Sequence, residues 1–353
     1  MQPFYLGIDL HLKRTYAVLM DRQGEIIDER RIQNLDMPEY LQTVVPPDCH
    51  AVLEATRNWA FMYDLLSVHV AQVSLAHPKE LRAIASAAVK TDRIDARVLA
   101  HLARLNFLPT SYAAPAEVRD LRLYTRHRTW LIGQRTQAKN RIHVVLASNN
   151  LVSPLTDLFG VTGRAFLQQA LEQVRPASRR VIADNLDLID HLDSQVAALE
   201  ADLELSPEQE AMVRLLKSLP GVGQVNATAI AAEIGSIERF SNPKALCNWA
   251  GLTPKVRASD KMVRHGRISK QGSPYLRAAM TRAATVASRS DPKWYRVHEN
   301  LLPRCGKIGA KVAVARRLLS VVYFMLKRQQ PYIKEAVVTG EPATAHGSSK
   351  PKP

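Results

Sequence analysis

The stretch Phe4-Tyr5-Leu6-Gly7-Ile8-Asp9-Leu10 decides the fold. Phe4, Leu6, Ile8 and Leu10 alternate with Tyr5, Gly7 and Asp9, which is the two-residue period of a strand with one apolar face. Asp9 therefore ends the strand on the face opposite Phe4, Leu6 and Ile8. Working outward, a second strand fits residues 15–20. Asp21-Arg22-Gln23-Gly24 is a turn, and residues 25–32 return as a third strand. A short helix is expected near 38–44, a buried strand over 50–54, a helix over 59–68 and another strand over 72–76. Two more helices are expected over 79–88 and 91–105.

A three-strand meander followed by strands alternating with helices is the order of a ribonuclease H-like mixed sheet. Residues 1–110 therefore read as an α/β domain. Glu54 ends the strand His50-Ala51-Val52-Leu53, and Asp9 ends the first strand, so both acids stand at carboxyl ends of strands expected side by side. Open α/β sheets place their sites at that edge.

The segment Thr91-Asp92-Arg93-Ile94-Asp95-Ala96 adds two more acids at a helix start. Positions 92, 95, 99 and 102 form one helical stripe, because residues three and four apart share a face. The stripe reads Asp92, Asp95, Leu99, Leu102, so the carboxylates sit on the inward side. Like charges at a buried edge repel and lose hydration unless a cation lies between them. The four acids Asp9, Glu54, Asp92 and Asp95 thus form a candidate site for one or two Mg²⁺ ions, which favour carboxylate oxygen. Two such ions clamp the attacking and leaving oxygens of a phosphodiester. The plain alternative for Asp92 and Asp95 is an acid pair favoured by the helix macrodipole.

Across 353 residues, 48 Lys and Arg stand against 33 Asp and Glu, a net charge of +15. That excess favours polyanionic partners, nucleic acid before anionic membrane. The longest strongly apolar run, near Leu318 to Leu326, is too short to span a bilayer. The chain opens directly on a strand pattern without a signal peptide, and Cys49, Cys247 and Cys305 lack paired spacing. A reduced cytoplasmic setting is the expectation.

Residues 111–209 read as helical. Ile189, Leu192, Val196, Leu199 and Leu203 follow a three-four spacing, which suits either a coiled-coil dimerisation seam or an ordinary bundle helix. An earlier helix carries Arg119, Arg122, Arg126, Arg128, Arg135, Lys139 and Arg141. With few acids nearby, that face is expected to track phosphates at least as readily as to be merely solvated.

Residues 210–336 read as a second helical unit, and 337–353 as a disordered tail. Leu219-Pro220-Gly221-Val222-Gly223 reads as a helix-hairpin-helix turn, in which Gly221 and Gly223 expose backbone amides to a phosphate. An ordinary glycine turn remains the alternative. Asn242-Pro243 caps a helix that ends near Gly251. The segment from Gly251 to Lys261 then opens a loop, and Arg257, Lys261, Arg264, Arg267 and Lys270 make it strongly basic. From spacing alone, Ser259 is a turn serine, although a hydroxyl among these cations is also able to attack a phosphodiester. His265 reads as a phosphate-contacting or exposed residue rather than a base.

Taken together, Gly7-Ile8-Asp9, Leu53-Glu54-Ala55, Thr91 to Ala96, Pro220-Gly221-Val222-Gly223, Gly251-Leu252-Thr253-Pro254 and Ile268-Ser269-Lys270-Gln271-Gly272 resemble the DEDD transposases of bacterial insertion sequences, the IS110 family. The resemblance runs from the first strand to about Lys327. It implies a RuvC-like nuclease-fold domain, a coiled-coil dimerisation region and a C-terminal domain with a nucleophilic serine. It implies that Asp9, Glu54, Asp92 and Asp95 bind Mg²⁺ and that Ser259, by its distance from the two flanking blocks, is the nucleophile. It also implies double-stranded DNA as substrate, a structured non-coding guide RNA from the element, and a homo-oligomer, dimer or tetramer. Many relatives follow the serine with glycine, where this chain has Asp260. The rival expectation is a Holliday-junction resolvase-like nuclease that uses metal-activated water and forms no covalent intermediate.

Overall fold

The computed structural model describes residues 3–84, 91–259 and 262–334. Lys261, Asp260, the end of the helix expected over 79–88 and the tail expected over 337–353 lie outside the described residues. The chain divides after Ala114 into two compact units.

The first unit is a mixed α/β sheet. Its elements are β1 (Phe4–Leu10), β2 (Arg14–Asp21), β3 (Ile26–Gln33), α1 (Met37–Thr43), β4 (Cys49–Glu54), α2 (Trp59–His69), β5 (Gln72–Ala76), α3 (Pro78–Ile84), α4 (Asp92–Arg104) and β6 (Thr110–Ser111). The sheet order is β3-β2-β1-β4-β5-β6. Strands β1, β2 and β3 pair antiparallel, while β4 lies parallel to both β1 and β5. The two-residue β6, too short to carry a periodicity, was not expected; it pairs antiparallel with β5. The turn between β2 and β3 closes because Gly24 adopts φ +97° and its amide, with that of Glu25, donates to Asp21 Oδ1.

Alternation along the strands builds two cores. Leu6, Ile8, Ala51 and Leu53 pack with Met37 and Leu41 of α1 and with Met62 and Leu66 of α2. On the other face Tyr5, Val18, Met20 and Val52 pack against Ala96, Leu99, Ala100 and Ala103 of α4. Leu99 and Leu102 point inward as the stripe requires.

The second unit is mainly helical: α5 (Ala116–Ser148), α6 (Val161–Gln173), α7 (Pro176–Ala201), α8 (Pro207–Lys217), α9 (Gln224–Ile234), α10 (Pro243–Trp249), the two-stranded ribbon of β7 (Pro254–Ser259) and β8 (Met262–Ile268), then α11 (Pro274–Ser290) and α12 (Pro292–Arg328). α12 breaks at Gly306, whose φ is +65°. The seam residues Leu192 and Val196 of α7 are buried against Leu131 of α5 in the same chain, and Ile189 joins Ala138 and Ile142 in an adjoining cluster. None of the described helices is long and apolar enough to cross a membrane.

Two expectations for this unit need correction. The segment after Gly251 is not an open loop: β7 and β8 pair antiparallel. Val256 and Ala258 do alternate with Lys255, Arg257 and Ser259, a short strand signal that the basic residues and Gly266 obscure. The arginines of α5 are also not a free phosphate-tracking face. Arg122 donates to the carbonyls of Ala232 and Glu233, at 2.8 and 3.0 Å. Arg126 grips the Glu233 carboxylate with two hydrogen bonds, Arg128 pairs with Glu200, and Arg135 pairs with Asp193. The acids that neutralise them come from α7 and α9, far along the sequence.

Candidate functional site

Asp9 and Glu54 are placed by strand register. The parallel β1–β4 ladder runs to Ile8 opposite Leu53, so Asp9 and Glu54 are the next residues of neighbouring strands. Both fall on the sheet face that carries Tyr5 and Val52, the face covered by α4.

α4 approaches this face closely because β1 has no side chain at Gly7. A Cβ there would stand 2.0 Å from the Ala96 carbonyl oxygen and 2.8 Å from the Ala100 nitrogen. Ala96 and Ala100 keep the helix side of the contact equally thin. Thr91 caps the helix, its hydroxyl accepting from the Ile94 amide at 3.2 Å. Glu29 on β3 fixes the rotation of the helix by accepting from Arg93 and Arg97, and it also accepts from the Tyr16 hydroxyl at 3.1 Å. Burial alone would push the Glu29 carboxyl up; the hydrogen bonds from Arg97, Arg93 and Tyr16 outweigh it and hold the group below the usual carboxylate range. The first turn of α4 is thereby delivered to the end of β1.

At that junction His11 lies between two of the four acids. Its Nε2 is 3.2 Å from Asp9 Oδ2 and 3.3 Å from Asp92 Oδ1. Among the described residues, Asp9, His11 and Asp92 form a group whose ligand atoms all lie within 4.8 Å of one another. Asp95 and Glu54 are outside that trio. Asp95 nevertheless acts on Asp9: burial pushes the Asp9 carboxyl up, His11 pulls it down, and the charges of Asp92 and Asp95 raise it again, with a net upward shift. Glu54 stands one strand over, partly buried. The sequence reading missed His11. Its signal was the spacing Asp-x-His at a strand end, which turns both side chains to the same side.

In the second unit, the turn between α8 and α9 gives its two glycines different duties. Gly221 has φ +80°, and a Cβ on it would meet the Ala283 carbonyl oxygen at 2.4 Å. Gly223 is the α9 N-cap and has open space around it. Further on, Ser259 is the last residue of β7, paired in register with Met262, and Arg257 is the register partner of Arg264. The ribbon is stapled at its base. The Ser269 amide donates to the Thr253 carbonyl at 2.8 Å, Lys270 donates to Gly251 at 3.2 Å, and Ser273 donates to Trp249 at 2.9 Å. The Ser273 hydroxyl also donates to Glu233 Oε2 at 2.8 Å, joining the ribbon base to the buried carboxylate that the half-exposed Arg126 grips. Arg267 and Lys270 are exposed.

A mixed sheet with acids gathered at one strand end, followed by a helical region and a basic ribbon, is the equipment of an enzyme that handles a nucleic-acid backbone. The comparisons give the class. A DEDD-type IS110 transposase model matches residues 6–150, and a model described as the IS116/IS110/IS902 transposase family matches residues 213–299. Over 93% of this chain, it is 24% identical to a probable family 20 transposase of Pseudomonas aeruginosa, of which 98% is covered. It is 25% identical, also over 93% of its length, to the transposase for insertion sequence element IS1111A of Coxiella burnetii, of which 90% is covered. Over 81% of the chain it is 25% identical to the pilin gene-inverting protein of Moraxella bovis, of which 82% is covered. The protein is thus a DNA transposase, an enzyme of recombination. It belongs to the IS110 family of insertion-sequence transposases.

Proposed function

We propose that this transposase breaks and rejoins DNA by serine-linked phosphodiester exchange, with Asp9, Glu54, Asp92 and Asp95 as a Mg²⁺-holding set in a RuvC-like unit. The observation that carries the reading is the delivery of the α4 carboxylates to the end of β1, where Asp9 already waits. The sheet order β3-β2-β1-β4-β5, with its first three strands antiparallel, supports the ribonuclease H-like assignment. The donor set fits a small divalent cation: carboxylate oxygens, with an Asp9 carboxyl raised first by burial and then by the charges of Asp92 and Asp95. One or two Mg²⁺ ions, when bound, would supply charge neutralisation at the scissile phosphate.

The residues of the chain divide the remaining work. Ser259 Oγ attacks phosphorus and gives up its proton to base; the Oγ–P bond forms as the bond to the departing deoxyribose oxygen breaks, and that oxygen takes up a proton. Reversal with a different deoxyribose hydroxyl rejoins the strands and frees Ser259. Each exchange makes one phosphoester bond for one broken, so no external energy source is needed. Arg257 and Arg264 stand opposite each other next to Ser259 in the ribbon. Lys261, Arg267 and Lys270 extend the basic stretch. Gly221 and Gly223 serve as a helix-hairpin-helix contact to the backbone without reading sequence. In this reading residues 1–110 are the nuclease-fold domain, 111–209 the dimerisation region and 210–336 the serine-bearing domain. Double-stranded DNA, an element-encoded guide RNA and a homo-oligomer of two or four copies complete it, and the net charge of +15 supports the polyanionic partners.

The test is an SDS-resistant protein–DNA adduct formed by the full chain with paired DNA ends and the flanking transcript of its element. Wild type should form it, and Ser259→Ala and Asp92→Asn should not, with folding intact. An adduct that survives Ser259→Ala removes the serine. Metal-dependent cleavage with no adduct in wild type would give the junction-resolving nuclease instead.

A further inference from the structure

We propose that His11 is a direct nitrogen ligand of the divalent cation, so that this site is a mixed nitrogen–oxygen site suited to Mn²⁺ over Mg²⁺. The inference rests on the carboxylate reading above and deepens it.

The geometry comes first. Two donor atoms at right angles on an octahedral cation, each about 2.1 Å from it, lie about 3 Å apart. His11 Nε2 stands 3.2 Å from Asp9 Oδ2 and 3.3 Å from Asp92 Oδ1. The three atoms cap one corner of the site, and the half-exposed side chains of His11 and Asp92 leave the outer positions to water or a phosphate oxygen.

Preorganisation is the second support. His11 lies in the short turn between β1 and β2, yet its main chain is held from two other elements. Its carbonyl accepts from Asn34 Nδ2 after β3 and from Asn58 Nδ2 at the start of α2, both at 3.0 Å. Asn34 is itself fixed by the buried Thr15 hydroxyl, which donates to its Oδ1 at 2.7 Å. The His11 amide donates to the Arg14 carbonyl at 3.0 Å. A turn bolted at three points restricts where the imidazole can reach, as a ligand position requires. Ligation needs a bare Nε2 with the ring proton on Nδ1.

Donor chemistry then sets the preference. Mg²⁺ takes oxygen and retains water, whereas an imidazole nitrogen raises affinity for Mn²⁺ and later transition metals. A ring of oxygens alone would not make that distinction as strongly.

The experiment uses the full-length protein with Mn²⁺ as probe, read by pulsed electron paramagnetic resonance and by Mg²⁺ competition. Wild type should bind Mn²⁺ and show nitrogen hyperfine coupling. His11→Ala should lose the coupling and at least about tenfold in Mn²⁺ affinity, while its Mg²⁺ affinity changes by less than about threefold. Unchanged circular dichroism verifies the fold of the variant, and the wild-type coupling needs no variant at all. Mn²⁺ bound through Asp9, as shown by its loss in Asp9→Asn, but without nitrogen coupling, overturns the His11 assignment and leaves the carboxylate reading standing. Mn²⁺ binding that fails in wild type, or survives Asp9→Asn, overturns both.

Discussion

At the scale of single residues, Gly7 and Asp9 carry opposite relations to stability. Gly7 exists to be small: its missing Cβ is the space occupied by the Ala96 carbonyl and Ala100 amide of α4. Those are main-chain atoms of a helix and cannot swing aside. Gly7→Ala should therefore push α4 off the sheet, cost about 1–3 kcal/mol and separate Asp92 from Asp9, so that metal affinity falls together with the melting temperature. Gly133, a helical glycine with nothing near its Cβ position, is the contrast. Gly133→Ala should stabilise by about 0.5–1 kcal/mol and leave metal affinity alone. If Gly7→Ala melts and binds like wild type, the close approach is not what positions the acids. Asp9 is costly to the fold it serves. Burial first, then the charges of Asp92 and Asp95, lift its carboxyl above the ordinary 3.8, against the pull of His11. Between that value and the raised one, the folded state holds the proton more tightly than the unfolded chain, so metal-free stability falls as pH rises through the window. Asp9→Asn should flatten this dependence and raise the metal-free melting temperature at neutral pH by a few degrees, while abolishing strand breakage. A lower melting temperature in thermal scans would mean that His11 already compensates the charge in full.

Secondary elements show where sequence reading succeeds and where it stops. β1 was legible because its apolar residues alternate, β3 as the return from the turn at Asp21 to Gly24, and β4 as a short buried run; α4 was legible from its first-turn acids and its inward stripe. The acids at the ends of β1 and β4 could be placed side by side from the strand order alone. The ribbon was not legible, because the cations and Gly266 between Gly251 and Lys270 made the segment read as a basic loop. The partners of the α5 arginines were not legible either, since Glu200 and Asp193 lie 72 and 58 residues away from Arg128 and Arg135. Local charge counting cannot see such pairs. The deepest of them, Arg126 with Glu233, holds α5, α9 and, through Ser273, the base of the ribbon. Glu233 is 1% exposed. Arg126→Ala would take two charge-assisted hydrogen bonds from that carboxylate; because the guanidinium itself is 42% exposed, the loss should be about 1–3 kcal/mol. Chemical denaturation should show it, and the double change Arg126→Met with Glu233→Met should recover most of the stability. A small effect of Arg126→Ala alone would mean that water reaches Glu233 readily, and the pair would no longer explain how the ribbon is anchored.

Over the whole molecule, the net charge of +15 sets how tightly any duplex is held, but not every cation takes part. A cation that releases a counterion from DNA must be free to reach a phosphate. Arg128 and Arg135 are occupied by Glu200 and Asp193, and exchanging one partner for another yields little net attraction. Arg267 and Lys270 are exposed beside the ribbon. Their contacts with a duplex should therefore appear in the salt dependence of binding, where each neutralised phosphate adds about 0.9 to the slope of log affinity against log salt. Lys270→Gln and Arg267→Gln should each lower that slope by about one, equally for element and unrelated DNA, since a phosphate contact carries no sequence information. Arg128→Gln and Arg135→Gln should leave it unchanged, although the thermal stability of the helical unit falls slightly. The measurement is a titration of full-length protein with labelled duplex at several salt concentrations. Should Arg135→Gln lower the slope as much as Lys270→Gln, then α5 releases its acids on binding and the intrachain pairs are a resting arrangement that DNA displaces. Should neither lysine nor arginine beside the ribbon matter, the basic stretch around Ser259 does not meet the backbone, and the serine loses its phosphate.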